Sequence, residues 1–237
     1  MPPDRHFDSG FGATADSFHS AAEVLDSGEH KCGLGLSSSK LPVMYLYRHA
    51  NELYLKSILT ILHRRFSSGF PQVRQNDFPL IAVNGKSLPV FTVHSISHLY
   101  RQIHTLLEAN SKQIRSIGKT DWSTVLNGVD ELIKLIDDTD KTSTIFRYPM
   151  TRDPLNDAKK SSFKPISQDA AVAEAHCRTN QKMPGVKILA LKNEHDEITE
   201  TFIHDENPMA EVAEALKQLV GVLSCTQFGM LREFMNP

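Results

Sequence analysis

The 237-residue sequence has little that would staple or anchor a chain. It has three cysteines, Cys32, Cys177 and Cys225, far apart and odd in number. That pattern argues against a disulfide framework or a cysteine zinc site. Charge of one sign is also lacking: 26 basic residues face 28 acidic ones, for a net charge of −2. No global basic field exists to hold nucleic acid, so such binding would need a local patch. Long apolar runs are missing too. The longest uncharged stretch, Gln218 to Leu231, contains Ser, Thr and two Gln, and is too short and too polar to span a bilayer. The N-terminal MPPDRHFDSG carries acids and no apolar core, unlike a signal peptide. There is no GxGxxG, GxxxxGK[ST] or GxSxG, which leaves dinucleotide, P-loop and serine-elbow chemistry without support. The expectation is a soluble, cytoplasmic protein with no membrane contact and no cofactor.

What is present is an apolar content of 40%, enough for a core, arranged largely at helical spacing. Residues 1–40 read as a flexible N-terminal segment with one short helix, Asp16 to Leu25, and LGLSSSK (Leu34 to Lys40) reads as a linker. Pro42 then suits a helix first turn. Val43, Leu46, Ala50, Leu53, Ile58, Ile61 and Leu62 predict a helix through about Phe66. Residues 67–92 hold Pro71, Pro79 and Pro89, with Asn84-Gly85 between LIAV and SLPV, the signal of a small β-hairpin. A second helix is expected from near Val93 to before Gly118. A third, capped by Asp121, carries the stripe Trp122, Val125, Val129, Leu132 and Ile136, and the acids Asp137, Asp138 and Asp140 should stop it promptly. The run TRDPLNDAKKSSFKPISQ reads as a loop or mobile flap. Val186 to Leu191 and Ile198 to Ile203 could pair as strands, so 150–205 is taken as a second insertion. Met209, Val212, Leu216, Leu219, Leu223, Met230 and Phe234 trace a C-terminal helix. The expected fold over 41–237 is mainly α, an antiparallel four- to five-helix bundle with a small β-hairpin insertion.

Three features carry candidate chemistry. On the first long helix Arg48, Glu52 and Lys56 fall at i, i+4 and i+8, with His49 beside them. They are either a solvated face with two ion pairs, each contributing about 0.3–0.5 kcal/mol, or the lining of a cleft or dimer seam. Tyr45, Tyr47 and Tyr54 make the same helix aromatic enough to stack a base or a partner ring. On the next helix His94 and His98 have a spacing used in zinc sites, but no glutamate follows His94 and no third ligand is evident, so no metal site is assigned. His98, Arg101 and Glu108 share a polar face that could instead meet the first stripe. The third feature is TSTIFRYPM. Pro149 forces Tyr148 from helical dihedrals, which leaves Arg147 either gripping an anion or pairing with Asp137, Asp138 or Asp140.

Together RHANELYLK, HSISHLYRQI and FRYP, in that order, resemble the HEPN superfamily of helical domains. The resemblance covers roughly residues 41–149 and the C-terminal helix. In that group an acidic residue on the first long helix is followed by a lysine and an apolar pair, here Glu52, Lys56 and Ile58-Leu59. A histidine–leucine pair opens the next helix, here His98-Leu99. The resemblance implies a helical bundle, a homodimer, and either a metal-independent RNA-cleaving or RNA- or nucleotide-binding toxin or defence effector, or an inactive partner of a nucleotidyltransferase or another protein from the same operon. Cleaving members carry an arginine and a histidine separated by four to six residues near the last helix. None of the eleven arginines here is followed by a histidine at that spacing.

Were RNA cut, a 2′-hydroxyl would attack the adjacent phosphate. His49 or His98 would act as base or acid, and Glu52 would orient the histidine or arginine. Arg48, Arg101 or Arg147 would stabilise the developing charge, with Lys56 and Tyr148 completing the binding set. The competing class is a catalytically inactive dimeric scaffold or partner-binding module. A solvent-open groove where Arg48, His49 and Arg147 converge would favour chemistry, and a buried, paired stripe would favour scaffolding.

Overall fold

The computed structural model describes residues 6–27, 40–67, 77–148, 150–180, 188–205 and 207–235, with the side chains of 175 and 177–180 left aside. Most of the linker Leu34 to Lys40, as well as Cys32, Pro71, Pro149, Val186 and the Cys177 side chain, lie outside that set. The chain is mainly helical. Lys40–Thr151 and the residues from Glu211 on, with the N-terminal segment, form one compact unit; Arg152–Ala210 form a second. Among the described residues no helix is long and apolar enough to cross a membrane.

The first unit is built on α2 (Leu41–Phe66), which opens with Pro42 in its first turn. Every residue from Asn51 to Leu62 is buried, polar ones included. A helix covered on all sides is a core element rather than an amphipathic surface one. It needs cover from several directions. α1 (Phe11–Asp26), longer than the Asp16–Leu25 helix expected from sequence, lies against α2, with Ala15 and Ala22 wholly buried. Asp8 precedes α1 and accepts from the Gly12 amide at 2.7 Å and the Ser57 hydroxyl at 2.5 Å, tying the start of α1 to α2. After α2, β1 (Leu80–Val83) and β2 (Lys86–Pro89) pair antiparallel around Asn84 and Gly85, both at positive φ.

α3 (Ile96–Ala109) starts later than Val93. Ser95 is its N-cap, accepting from the His98 amide, so His94 lies on the extended approach and not in the helix. Its buried stripe is Ile96, Leu99, Tyr100, Ile103 and Leu107. The expected single helix to Gly118 divides at Asn110, whose side chain donates to the Leu106 carbonyl at 2.8 Å, and continues as α4 (Ser111–Ile117). The expected third helix also divides, at Gly128-Val129, into α5 (Trp122–Asn127) and α6 (Asp130–Thr139). Asp121 caps α5. Asp140 ends α6 by accepting from the amides of Thr144 and Ile145 at 2.7 and 3.0 Å, which turns the chain sharply.

The second unit corrects the reading of TRDPLNDAKKSSFKPISQ as a loop. Asp153 caps α7 (Pro154–Lys160), with Pro154 in the first turn, and β3 (Phe163–Ile166) follows. α8 (Gln168–Asn180), not foreseen from the sequence, comes next. Then β4 (Ile188–Lys192) and β5 (Ile198–His204) complete an antiparallel sheet of order β3-β5-β4. α9 (Ala210–Met235) buries Val212, Leu216, Leu219, Leu223, Met230 and Phe234 along its length.

Candidate functional site

The α2 charges are not solvated. Arg48 and Glu52 are each 1% exposed and Lys56 is 3% exposed, which overturns the reading of this stripe as a wet helix face. Unpaired charges at that depth would be prohibitive, and each here has partners. Glu52 Oε1 accepts from Lys56 Nζ at 2.8 Å, and Glu52 Oε2 from Arg48 at 3.3 Å. Arg48 also donates to the His94 carbonyl at 2.7 Å, and its Nε lies 3.5 Å from Asp140 Oδ2. Lys56 reaches the Phe91 carbonyl at 3.5 Å. Two cations and two carboxylates thus lie within one buried cluster, fed by α2, the approach to α3 and the turn after α6.

The electrostatics follow from that enclosure. Burial pushes the Glu52 carboxyl up, but Lys56 and Arg48 pull it further the other way, so it stays below the ordinary carboxylate value. For Asp140 burial outweighs the pull of Arg48 and of its two amide donors, and its value is raised. Burial lowers Arg48, against the opposing fields of Glu52 and Asp140.

The histidine that meets Glu52 is not one of the two assigned to chemistry from the sequence. His94 Nδ1 lies 2.9 Å from Glu52 Oε1, with the His94 side chain 48% exposed. Its ring is held by Glu52 and its backbone by Arg48, both from α2. His98 Nδ1 instead lies 2.8 Å from Ser95 Oγ. The Ser95 N-cap is the signal that could have placed His94 outside the helix and toward α2.

His49 belongs to a separate aromatic stack. Its ring lies edge-on to Phe18 at 4.5 Å and parallel to Tyr45 at 5.9 Å, and its buried Nδ1 has no hydrogen-bond partner among the described residues. Burial lowers its pKa, which favours the neutral ring. Arg147 is exposed, with its guanidinium 5.7 Å from the centre of the Tyr45 ring, and Tyr148 is 56% exposed. Among the described residues no group of three or more histidine, cysteine, aspartate or glutamate side chains could hold a metal ion.

Arg101 lies elsewhere, in an open cleft of about 440 Å³ between α3, α5 and α6, with Ser97, Tyr100, His104, Lys134 and Asp137 among its lining. The site residues read from the sequence are therefore scattered: Arg48, Glu52 and Lys56 lie in the buried cluster, His49 and Arg147 flank Tyr45, Arg101 lines the cleft, His98 sits on Ser95, and Tyr148 is exposed.

The chain matches no family model, no curated protein and no solved structure.

Proposed function

We propose that this chain is a HEPN-like protein whose helices form an antiparallel bundle of four or five members, and that it works as a dimeric scaffold or partner-binding module. A neighbour from the same operon would be its protein partner. The observation that carries this reading is the burial and mutual pairing of Arg48, Glu52 and Lys56. An RNA phosphate needs exposed donors, and these are committed inside the fold. His49, enclosed by Phe18 and Tyr45 and held neutral, is poorly placed to exchange protons with a substrate. The reading is tested by light scattering for the dimer and by incubating RNA with the purified protein in EDTA. A dimer that leaves RNA intact is expected, and cleavage that disappears in His49→Ala would defeat the proposal.

A second reading is favoured by one contact. In a metal-independent endoribonuclease of the defence or toxin–antitoxin type, His94 rather than His49 or His98 would be the general base. Glu52 would hold its Nδ1 and leave Nε2 to take a proton from the attacking 2′-hydroxyl. That arrangement predicts EDTA-resistant cleavage that is lost in His94→Ala and kept in His49→Ala.

A further inference from the structure

A cavity of about 320 Å³ lies at the turn between α4 and α5, apart from the α2 charges and from Arg101. Its apolar wall is Leu107 from α3, Ile114 from α4 and Trp122 from α5, which are 2%, 6% and 7% exposed. Arg115 and Lys119 also line it, and among the described residues neither side chain has an ion-pair or hydrogen-bond partner. The Ser123 hydroxyl, likewise without a partner there, is a further donor. The turn is fixed from outside the cavity. Glu233 on α9 accepts from the Lys119 amide, from the Thr120 amide at 3.1 Å and from Trp122 Nε1 at 2.7 Å. A Cβ on Gly118 would lie 3.1 Å from both Glu233 Oε1 and the Ile114 carbonyl, so the turn packs about as closely as its glycine allows. The wall is therefore in place before a ligand arrives, which lowers the ordering cost of binding.

Charge and size narrow the ligand. Among the described residues Asp121 is the one carboxylate of the lining, and it is engaged as the cap of α5 by the Thr124 amide at 3.4 Å and the Thr124 hydroxyl at 3.2 Å. Glu233 is not part of the lining, and its two oxygens are taken by three N–H donors. Two cations against one lining carboxylate leave a single net positive charge, which suits a monoanion better than a doubly charged phosphate. The planar fork of an arginine also matches a carboxylate. The wall of Leu107, Ile114 and Trp122 calls for an apolar body, whose removal from water drives binding. The volume lies at the lower end of the range for small-molecule pockets, about 300–1,000 Å³, so that body is short.

We infer that this cavity binds a small carboxylic acid with an apolar body, its carboxylate on Arg115 and Lys119 and its body against Leu107, Ile114 and Trp122. The site goes beyond the scaffold reading and is independent of it, because the α2 cluster contributes no residue to the lining.

Trp122 is the single tryptophan, so its emission reports on the cavity wall directly. The experiment titrates the full chain with hexanoate, octanoate and phenylpropionate, followed by Trp122 emission and by isothermal titration calorimetry. Acetate and inorganic phosphate control for the anionic head, phenylpropanol for the body, and phenylpropylamine for the sign of the charge. The titrations are repeated on an Arg115→Ala, Lys119→Ala double variant. Both positions are exposed, so the variant should keep its circular dichroism and melting temperature. Saturable binding of at least one of the three acids, with every control about tenfold weaker or silent and a loss of about tenfold or more in the variant, supports the assignment. No saturable binding by any of the three acids overturns it. So does a control that binds as tightly as the acids, or binding that the double variant leaves unchanged.

Discussion

Replacing Glu52 by Gln removes the charge that two buried cations share while keeping nearly the same shape. Among the described residues Lys56 would keep the Phe91 carbonyl at 3.5 Å and at most the neutral amide oxygen, whereas Arg48 would keep the His94 carbonyl and Asp140. Breaking a buried ion pair from one side costs about 3–5 kcal/mol. Because the amide oxygen still accepts one bond, the lower end applies, about 3 kcal/mol. For a chain of this length that lowers the melting temperature by roughly 6–12 °C. The melt can be followed by fluorescence of Trp122, the single tryptophan, which lies in the first unit. A solvated stripe would behave differently, since each exposed helix pair contributes only about 0.3–0.5 kcal/mol. A cycle with Lys56→Met separates the two cases further: the double variant should recover about 1–3 kcal/mol relative to additivity, because the stranded cation is gone. A shift under about 2 °C in Glu52→Gln, or strict additivity in the cycle, would refute the buried-cluster account.

Other consequences follow from contacts around the same unit. Because the folded His49 pKa lies below its ordinary value, the unfolded chain binds more protons below about pH 6.5. Stability from this residue is therefore present above that pH and lost as pH falls below it; His49→Phe should flatten the slope in urea midpoints measured on the acid side of that pH. A side chain at Gly229 would run into the Trp122 ring, so Gly229→Ala should destabilise by about 1–3 kcal/mol despite the better helix propensity of alanine, read by chemical denaturation. Glu233 accepts from Trp122 Nε1 at 2.7 Å and from the Thr120 amide at 3.1 Å, and Glu233→Gln should change the tryptophan emission maximum while leaving the helical circular dichroism in place.

The long helices were legible because their apolar residues repeat. Val43 to Leu62 marks α2, and Met209 to Phe234 marks α9. The internal breaks at Asn110 and Gly128 were not, since the apolar period runs through both and the local turn chemistry decides. Asp153 followed by Pro154 carries a cap and a first-turn proline, a start signal for α7 that the surrounding polarity obscured. The charged stripe on α2 shows the limit of local spacing. Residues at i, i+4 and i+8 reveal that Arg48, Glu52 and Lys56 share a face but not what covers it. The cover comes from His94 and Asp140, 42 and 92 positions beyond Glu52 and Arg48 in the chain, and only tertiary contact brings them in. His98 drew attention as the helix-opening histidine, yet the Ser95 cap puts His94 at the true entrance to α3.

The most direct test of the central claim, that the α2 charges form a structural ionic cluster rather than a cleaving set, is an RNA cleavage assay in EDTA. It would use the purified protein beside its His49→Ala and His94→Ala variants. Intact RNA in every lane, from protein that melts cooperatively, is the result predicted. Cleavage by the parent chain that vanishes in either variant would contradict the claim, and the variant that abolishes it would identify the base.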